Sequence, residues 1–188
     1  MKVIDFIDKV VRGILIFLTS FGIAGGILLA FINVVARFVF HEGIDWAFEL
    51  TNYLFIWSAF FGAAYLFRIG GHIRVTIILD LLPDKLAKLD VLLVDLIIIA
   101  YLVVIGYYGY LFIFDPELGV YSSGEISVDL GVPMWIPYLV VPLSAAFGIV
   151  MMLIRLKEDI TTDAKEIRGK SESEMIIEEV RENMGEVK

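Results

Sequence analysis

Four long runs of apolar residues constrain the fold of this chain more than any other feature. The first, residues 14–35, contains 22 residues without a charge. As a helix rising 1.5 Å per residue it would be about 33 Å long, enough to cross a hydrocarbon core of roughly 30 Å. The other runs are residues 50–67, 91–114 and 134–153. Because 59% of the 188 residues are hydrophobic and these cluster in the runs, we predict an all-α membrane protein with four transmembrane helices.

The positions of the basic residues predict the orientation of these helices. Of the 15 Lys and Arg residues, 14 lie before the first run, between the second and third runs, or after the fourth. Arg37 is the one basic residue in the two remaining loops, where the acidic residues include Glu42, Asp45, Asp115, Glu117, Glu125 and Asp129. Since Lys and Arg are retained in cytoplasmic loops, we predict a multi-pass membrane protein with both termini cytoplasmic.

The segments outside the spans differ from one another in charge pattern. Within residues 1–13, Val3, Phe6, Ile7 and Val10 share one helical face with charges opposite, which predicts a short amphipathic helix at the membrane interface. Residues 14–154 form the predicted four-helix transmembrane domain. Residues 155–188 are half charged and are predicted to be a solvated cytoplasmic tail, with an amphipathic helix as the alternative.

Few polar residues point to chemistry. The chain has no cysteine, which excludes thiol chemistry and Cys-ligated metals. His41 and His72 are expected on opposite sides of the membrane, so they cannot jointly hold haem. Asp95 is expected about one turn inside the third span, where a helix N-terminus favours a carboxylate, and a proton or cation site is the alternative. We therefore expect no catalytic, cofactor or metal site and, with a net charge of −8, no nucleic acid partner.

Three further patterns concern how the spans pack. A hairpin between the first two spans would bring Arg37 near Glu49 or Asp45, so we predict a structural ion pair there. Gly22 and Gly26 form a G-x-x-x-G step that permits close helix packing, either within the chain or against a partner. Pro142 removes an interior hydrogen bond and should kink the fourth span.

Residues 33–75 carry the most specific pattern and read NVVARFVFHEGIDWAFELTNYLFIWSAFFGAAYLFRIGGHIRV. This stretch, with the later PMWIPYLVVP, resembles the small membrane subunit of tripartite ATP-independent periplasmic (TRAP) transporters, the DctQ-like family. Leu50, Tyr53, Ala63, Ala64, Ile73 and Tyr138 are among the positions that carry the resemblance. The others are also our candidate structural or interface residues: Arg37, Trp46, Glu49, Trp57, Gly62, Arg68, Gly70, His72, Trp135, Pro137 and Pro142.

The resemblance implies a function that does not involve catalysis. Such subunits pair with a large multi-span permease that moves an organic acid, usually with sodium, while a soluble periplasmic protein delivers the substrate. The small subunit would extend the scaffold in the lipid bilayer and help to form the docking surface. Arg37, Trp46 and Glu49 would organise the outer end of the first hairpin, and Arg68, Gly70 and His72 would shape the cytoplasmic turn. Two alternatives stay open, a membrane anchor for a redox enzyme and a stand-alone small exporter.

Overall fold

The computed structural model describes residues 2–69 and 83–162. Four of its helices are long and apolar enough to cross a membrane, as the sequence predicts. A short helix, α4, lies in the connection between the third and fourth of them, and another, α5, forms the start of the fourth. The helices are α1 (Lys2–Val35), which continues as a π-helical turn (Ala36–Phe40), α2 (Asp45–Ile69), α3 (Asp84–Phe114), α4 (Val120–Ser123), α5 (Trp135–Tyr138) and α6 (Val140–Thr161).

The helices extend beyond the apolar runs at several ends. Helix α1 is continuous through Gly13, so the predicted interfacial segment forms its first turns rather than a separate helix. Residues 155–161, assigned above to the charged tail, continue α6. Gly70, His72 and residues 163–188 lie outside the described residues. The two loops 41–44 and 115–134 share one end of the molecule, here called the loop end, because successive long helices run in opposite directions.

The long helices pack in the order α1, α2, α6, α3, with α2 and α6 at the centre. The core lies where α1, α2 and α6 meet, and it contains Leu15, Phe61, Ala64, Val140 and Met151. Helices α1 and α3 each have one packed side, and their other sides carry exposed apolar residues such as Phe31 and Ile97. Exposing so many large apolar side chains to water would be costly, which agrees with a chain whose surroundings are lipid or partner helices.

The glycine step of α1 packs within the chain, which resolves the alternative left open by the sequence. A Cβ at Gly22 would lie 2.8 Å from the carbonyl oxygen of Leu54 and 2.9 Å from Cβ of Ser58. A Cβ at Gly26 would lie 2.6 Å from the ring of Phe55. The Ser58 hydroxyl also donates a 2.6 Å hydrogen bond to the Thr19 carbonyl oxygen, and a Cβ at Gly62 would meet the Thr19 side chain at 3.3 Å. The α1–α2 contact therefore depends on small residues from both helices.

The first turns of α1 expose their apolar face and bury part of their polar one. Phe6 is 68% exposed, whereas Asp8 is buried. A soluble protein places the two faces the other way round. The inversion arises because Asp8 has arginine partners inside the molecule, as described below, and it leaves the apolar face available to lipid.

The last span, Trp135–Thr161, consists of α5 and α6 in succession. Helix α5 ends at Tyr138 and α6 begins at Val140, with Leu139 as a turn residue between them. Pro142 has no N–H to donate to the Tyr138 carbonyl, but Leu139 keeps right-handed helical dihedral angles. Its carbonyl oxygen accepts a 3.1 Å hydrogen bond from Leu143 N–H, so the kink expected at Pro142 stays a prediction. Gly109 of α3 permits close approach here, because a Cβ at that position would lie 2.9 Å from Cγ1 of Val141.

Candidate functional site

Four charged residues form a network that ties three helices together at the end opposite the loop end. Arg68 of α2 is at its centre, and its Nε donates a 2.7 Å hydrogen bond to Asp8 Oδ1 on α1. Its two terminal nitrogens donate to the two carboxylate oxygens of Glu158 on α6, at 2.8 and 2.6 Å. Arg12 Nη2 lies 2.9 Å from the other oxygen of Asp8. We call these four residues the ion-pair cluster.

The geometry of the ion-pair cluster explains why arginine occupies position 68. A guanidinium presents several N–H groups in a rigid plane, so it can bind one carboxylate with two parallel bonds and a second with its Nε. A lysine ammonium could not span both partners in this way. Arg68 was a candidate from the sequence, but Asp8 and Glu158 were not. Nothing in the sequence distinguished Asp8 from the other charged residues of this amphipathic segment, such as Asp5 and Lys9.

A second ionic contact lies deeper between the helices. Asp95 of α3 is 1% exposed, and its Oδ1 is 3.9 Å from Nε of Arg155 on α6. Arg155 also donates a 3.1 Å hydrogen bond to the Phe67 carbonyl oxygen of α2, and its Nε lies 3.5 Å from Asp159. Charged groups inside a membrane domain are stabilised when they pair with one another or with backbone carbonyls. Asp95 is thus buried between the helices, and it lies near Arg155, a residue that was expected to belong to the charged tail.

Glu49 holds the long loop of the loop end against α2. The backbone N–H groups of Asp129 and Leu130 donate to Glu49 Oε2 at 3.0 and 2.9 Å. The Tyr53 hydroxyl donates to Oε1 and also lies 3.6 Å from the Met134 sulfur. One carboxylate thus accepts three hydrogen bonds, two of them from residues 80 or more positions away in the sequence. We call this arrangement the Glu49 latch.

The predicted ion pair between Arg37 and Glu49 or Asp45 is wrong. Arg37 lies exposed in the π-helical turn that ends the first span, and among the described residues it forms no ion pair. The carboxylate of Glu49 is instead occupied by loop amides and a tyrosine hydroxyl. Hydrophobic patterning could not reveal this, because a backbone N–H is present at almost every position and has no sequence signature.

Two other candidate residues meet each other. The indole Nε1 of Trp57 donates a 3.1 Å hydrogen bond to the carbonyl oxygen of Pro137, which links α2 to α5. Trp135 packs edge to face against Tyr121 of α4, with the ring centroids 5.9 Å apart. Trp46 is exposed in the first turn of α2. The structure therefore joins Glu49, Trp57 and Pro137 along one contact between α2 and the segment 129–137, and leaves Arg37 and Trp46 on the surface.

An apolar groove of about 350 Å³ lies beside this contact, between α1, α2 and α5. Its walls include Phe21, Leu54 and Trp57. Within residues 2–69 and 83–162, no group of three or more His, Asp or Glu side chains is arranged to hold a metal ion. The polar side chains of the two ends instead join one helix or loop to another. Their chemistry is that of structural tethers.

Apolar helices of spanning length, joined by polar contacts at their ends, define a multi-pass helical membrane protein. Residues 26–162 match the family described as tripartite ATP-independent periplasmic transporters, DctQ component. Because this match covers most of the sequence, the chain belongs to that family. The resemblance seen in residues 33–75 is thereby confirmed, and the family is one of transporter components rather than enzymes.

Three relatives illustrate the similarity. The chain is 30% identical over 148 residues to the C4-dicarboxylate TRAP transporter small permease protein DctQ of Vibrio cholerae, covering 69% of this chain and 64% of the relative. It is 32% identical over 111 residues to the ectoine TRAP transporter small permease protein TeaB of Halomonas elongata, covering 59% and 55%. It is 28% identical over 149 residues to the isethionate TRAP transporter permease protein DctMQ of Oleidesulfovibrio alaskensis, covering 74% of this chain but 22% of that one. The chain thus spans less than two thirds of the length of each of these relatives.

Proposed function

We propose that this chain is the small, accessory membrane subunit of a binding-protein-dependent secondary transporter for organic acids, coupled to sodium. The observation that carries the proposal is membership of the DctQ family over residues 26–162. Neither a redox anchor nor a stand-alone exporter is favoured by that membership. The relatives are named for different substrates, C4-dicarboxylate, ectoine and isethionate, so we expect the substrate to be selected by other subunits.

The partner within the membrane would be a large multi-span permease. In the isethionate permease the matching segment is 22% of one longer chain, so there the equivalent of this chain and the rest of the permease are covalently joined. A separate small chain would take the same place in the transporter by binding non-covalently to the large permease. The exposed apolar sides of α1 and α3 offer surface for that association, and the Glu49 latch and ion-pair cluster would keep the four helices in one arrangement as a scaffold.

The proposed orientation places the ion-pair cluster in the cytoplasm and the loop end in the periplasm, in the inner membrane. It is supported by the sorting of the basic residues. Helix α1 and its π-helical turn together contain 39 residues, about 58 Å of helix, which is nearly twice the hydrocarbon thickness. The first turns of α1, with Phe6 facing outward, would therefore lie in the cytoplasmic headgroup region.

Because the chain has no cysteine, single-cysteine variants can test the orientation directly. Leu118→Cys at the loop end should react with a membrane-impermeant maleimide in intact spheroplasts. Lys157→Cys, exposed near the other end, should react only after the membrane is opened. The reverse pattern would contradict the proposed orientation.

The function itself is tested by reconstitution with the large permease and the secreted binding protein of the proposed transporter. We expect a tag on this chain to co-purify the permease, and we expect sodium-driven uptake into proteoliposomes only when all three proteins are present. Uptake by the permease and binding protein without this chain, or by this chain alone, would refute the proposal.

A further inference from the structure

The segment 125–134 at the loop end forms a tight hairpin. Met134 N–H donates to the Glu125 carbonyl at 2.9 Å, and Ser127 N–H donates to the Val132 carbonyl at 2.8 Å. Gly131 closes the turn with φ +67°, a conformation that costs glycine little, and its N–H lies 3.2 Å from the Ser127 carbonyl oxygen. The backbone of this short segment is therefore held by its own hydrogen bonds.

One side of the 125–134 hairpin is fastened to the helices. The Glu49 latch binds the N–H groups of Asp129 and Leu130. Ser127 is buried, and its hydroxyl accepts a 3.1 Å hydrogen bond from Val132 N–H. The position of the hairpin relative to α2 is thus set by a charged carboxylate, a strong type of hydrogen-bond acceptor.

The opposite side of the hairpin presents apolar side chains. Val128 at the tip is 95% exposed and Ile126 is 65% exposed. The carboxylates of Glu125 and Asp129 are next to them in the chain, and both residues are exposed. A single exposed apolar residue needs no explanation. Here, however, two of them occupy a rigid tip with an acidic border, which is the arrangement of a protein contact with an apolar centre and a charged rim.

We propose that the tip of the 125–134 hairpin, with Val128 at its centre, docks into an apolar pocket with a basic rim on a water-soluble protein. The inference rests on the proposed function, in which the secreted binding protein approaches this end, and it assigns that protein as the occupant. Charge favours this occupant over the lipid headgroups, because carboxylates beside the apolar tip are repelled by lipid phosphates. The prior ordering of the hairpin reduces the entropy lost on docking.

The test measures binding of the purified binding protein to the complex of this chain and the permease in nanodiscs. Val128→Ser shortens the tip without a new charge, and we expect it to weaken binding about tenfold. Asp129→Asn and Glu125→Gln should slow association and reduce its dependence on salt. The backbone N–H of Asp129 still reaches Glu49 in the first of these variants, so the latch is retained.

Leu118→Ser is the matched control. Leu118 is an equally exposed apolar residue (89%) at the same end but outside the hairpin, and we expect wild-type binding. Wild-type affinity in Val128→Ser, or equal weakening in Leu118→Ser, overturns the inference. Loss of the permease from the Val128→Ser complex would also overturn it, because the tip would then belong to the permanent interface.

Different results would refute the proposed function and the docking of the hairpin tip. If the wild-type chain neither binds the permease nor supports uptake, the proposed function fails and the inference fails with it. If the wild-type complex transports substrate and Val128→Ser binds normally, the inference alone fails.

Discussion

Arg68 and Glu158, 90 residues apart in the sequence, are joined by two parallel hydrogen bonds of 2.8 and 2.6 Å. The same guanidinium binds Asp8, so one side chain connects α1, α2 and α6. The C-terminal end of α2 contacts α6 a second time through the Phe67 carbonyl and Arg155. These ionic contacts hold α1, α2 and α6 together at the end opposite the loop end. The glycine contacts between α1 and α2 lie farther along these two helices, nearer their middle.

We expect Arg68→Gln to destabilise the protein by about 2 kcal/mol, because it leaves the buried carboxylate of Asp8 with less compensation. Glu158→Gln should cost less, since that side chain is half exposed. Thermal unfolding in detergent measures both. Adding Asp8→Asn to Arg68→Gln should recover part of the loss, and a fully additive double variant would contradict the proposed coupling.

We expect Glu49→Leu to release the hairpin from α2, because the N–H groups of Asp129 and Leu130 lose their acceptor. Hydrogen exchange at residues 129 and 130 should become several-fold faster, while exchange in α3 is unchanged. Glu49→Gln keeps one acceptor oxygen and should have a smaller effect. Glu42→Gln, an exposed carboxylate at the same end, is the control, and equal acceleration in that variant would show that charge alone is responsible.

We expect Gly22→Ala to lower stability by roughly 1–3 kcal/mol, the usual cost of overpacking. The added methyl group would lie 2.8 Å from a backbone oxygen of α2, which cannot move independently of the helix. Gly25→Ala is the matched control, because its Cβ would meet only the Leu54 side chain at 3.7 Å. Comparable unfolding temperatures for the two variants would refute the close α1–α2 contact.

We expect the turn after α3 to loosen in acid. The Asp115 carboxylate accepts hydrogen bonds from the N–H groups of Glu117 and Leu118, and these lower the pKa of Asp115. A lowered pKa in the folded state means that the stabilisation is present above the ordinary pKa of about 3.9 and is lost as pH falls through the lowered value. Hydrogen exchange at residue 118, corrected for its intrinsic pH dependence, should show this loss below about pH 4. Asp115→Asn should abolish this loss in acid. If exchange at residue 118 of that variant still rises below about pH 4, Asp115 is excluded as the cause.

Much of the fold follows from the sequence because the membrane restricts the possibilities. A long uncharged run must satisfy its backbone hydrogen bonds internally, so four runs predict four helices. Trp57, Arg68 and Pro137 were identified as candidates because their residue types and their spacing match the family pattern. Their partners were not identified. Trp57 binds a backbone carbonyl, and Arg68 binds carboxylates from α1 and α6, which are remote in sequence.

By itself, the sequence determined the helical class, the number of spans and the family, because these depend on hydrophobicity and on ordered residue types along the chain. Only the tertiary structure decided that Glu49 binds loop amides rather than Arg37, and that Gly22 contacts α2. It also decided that Asp8 is buried while the apolar face on the other side of the same helix is exposed. The physical reason is that periodicity shows which side of a helix is polar or small, but not which group lies opposite. That depends on how the helices pack, and in the Glu49 latch the opposing groups are backbone N–H donors that almost every residue possesses.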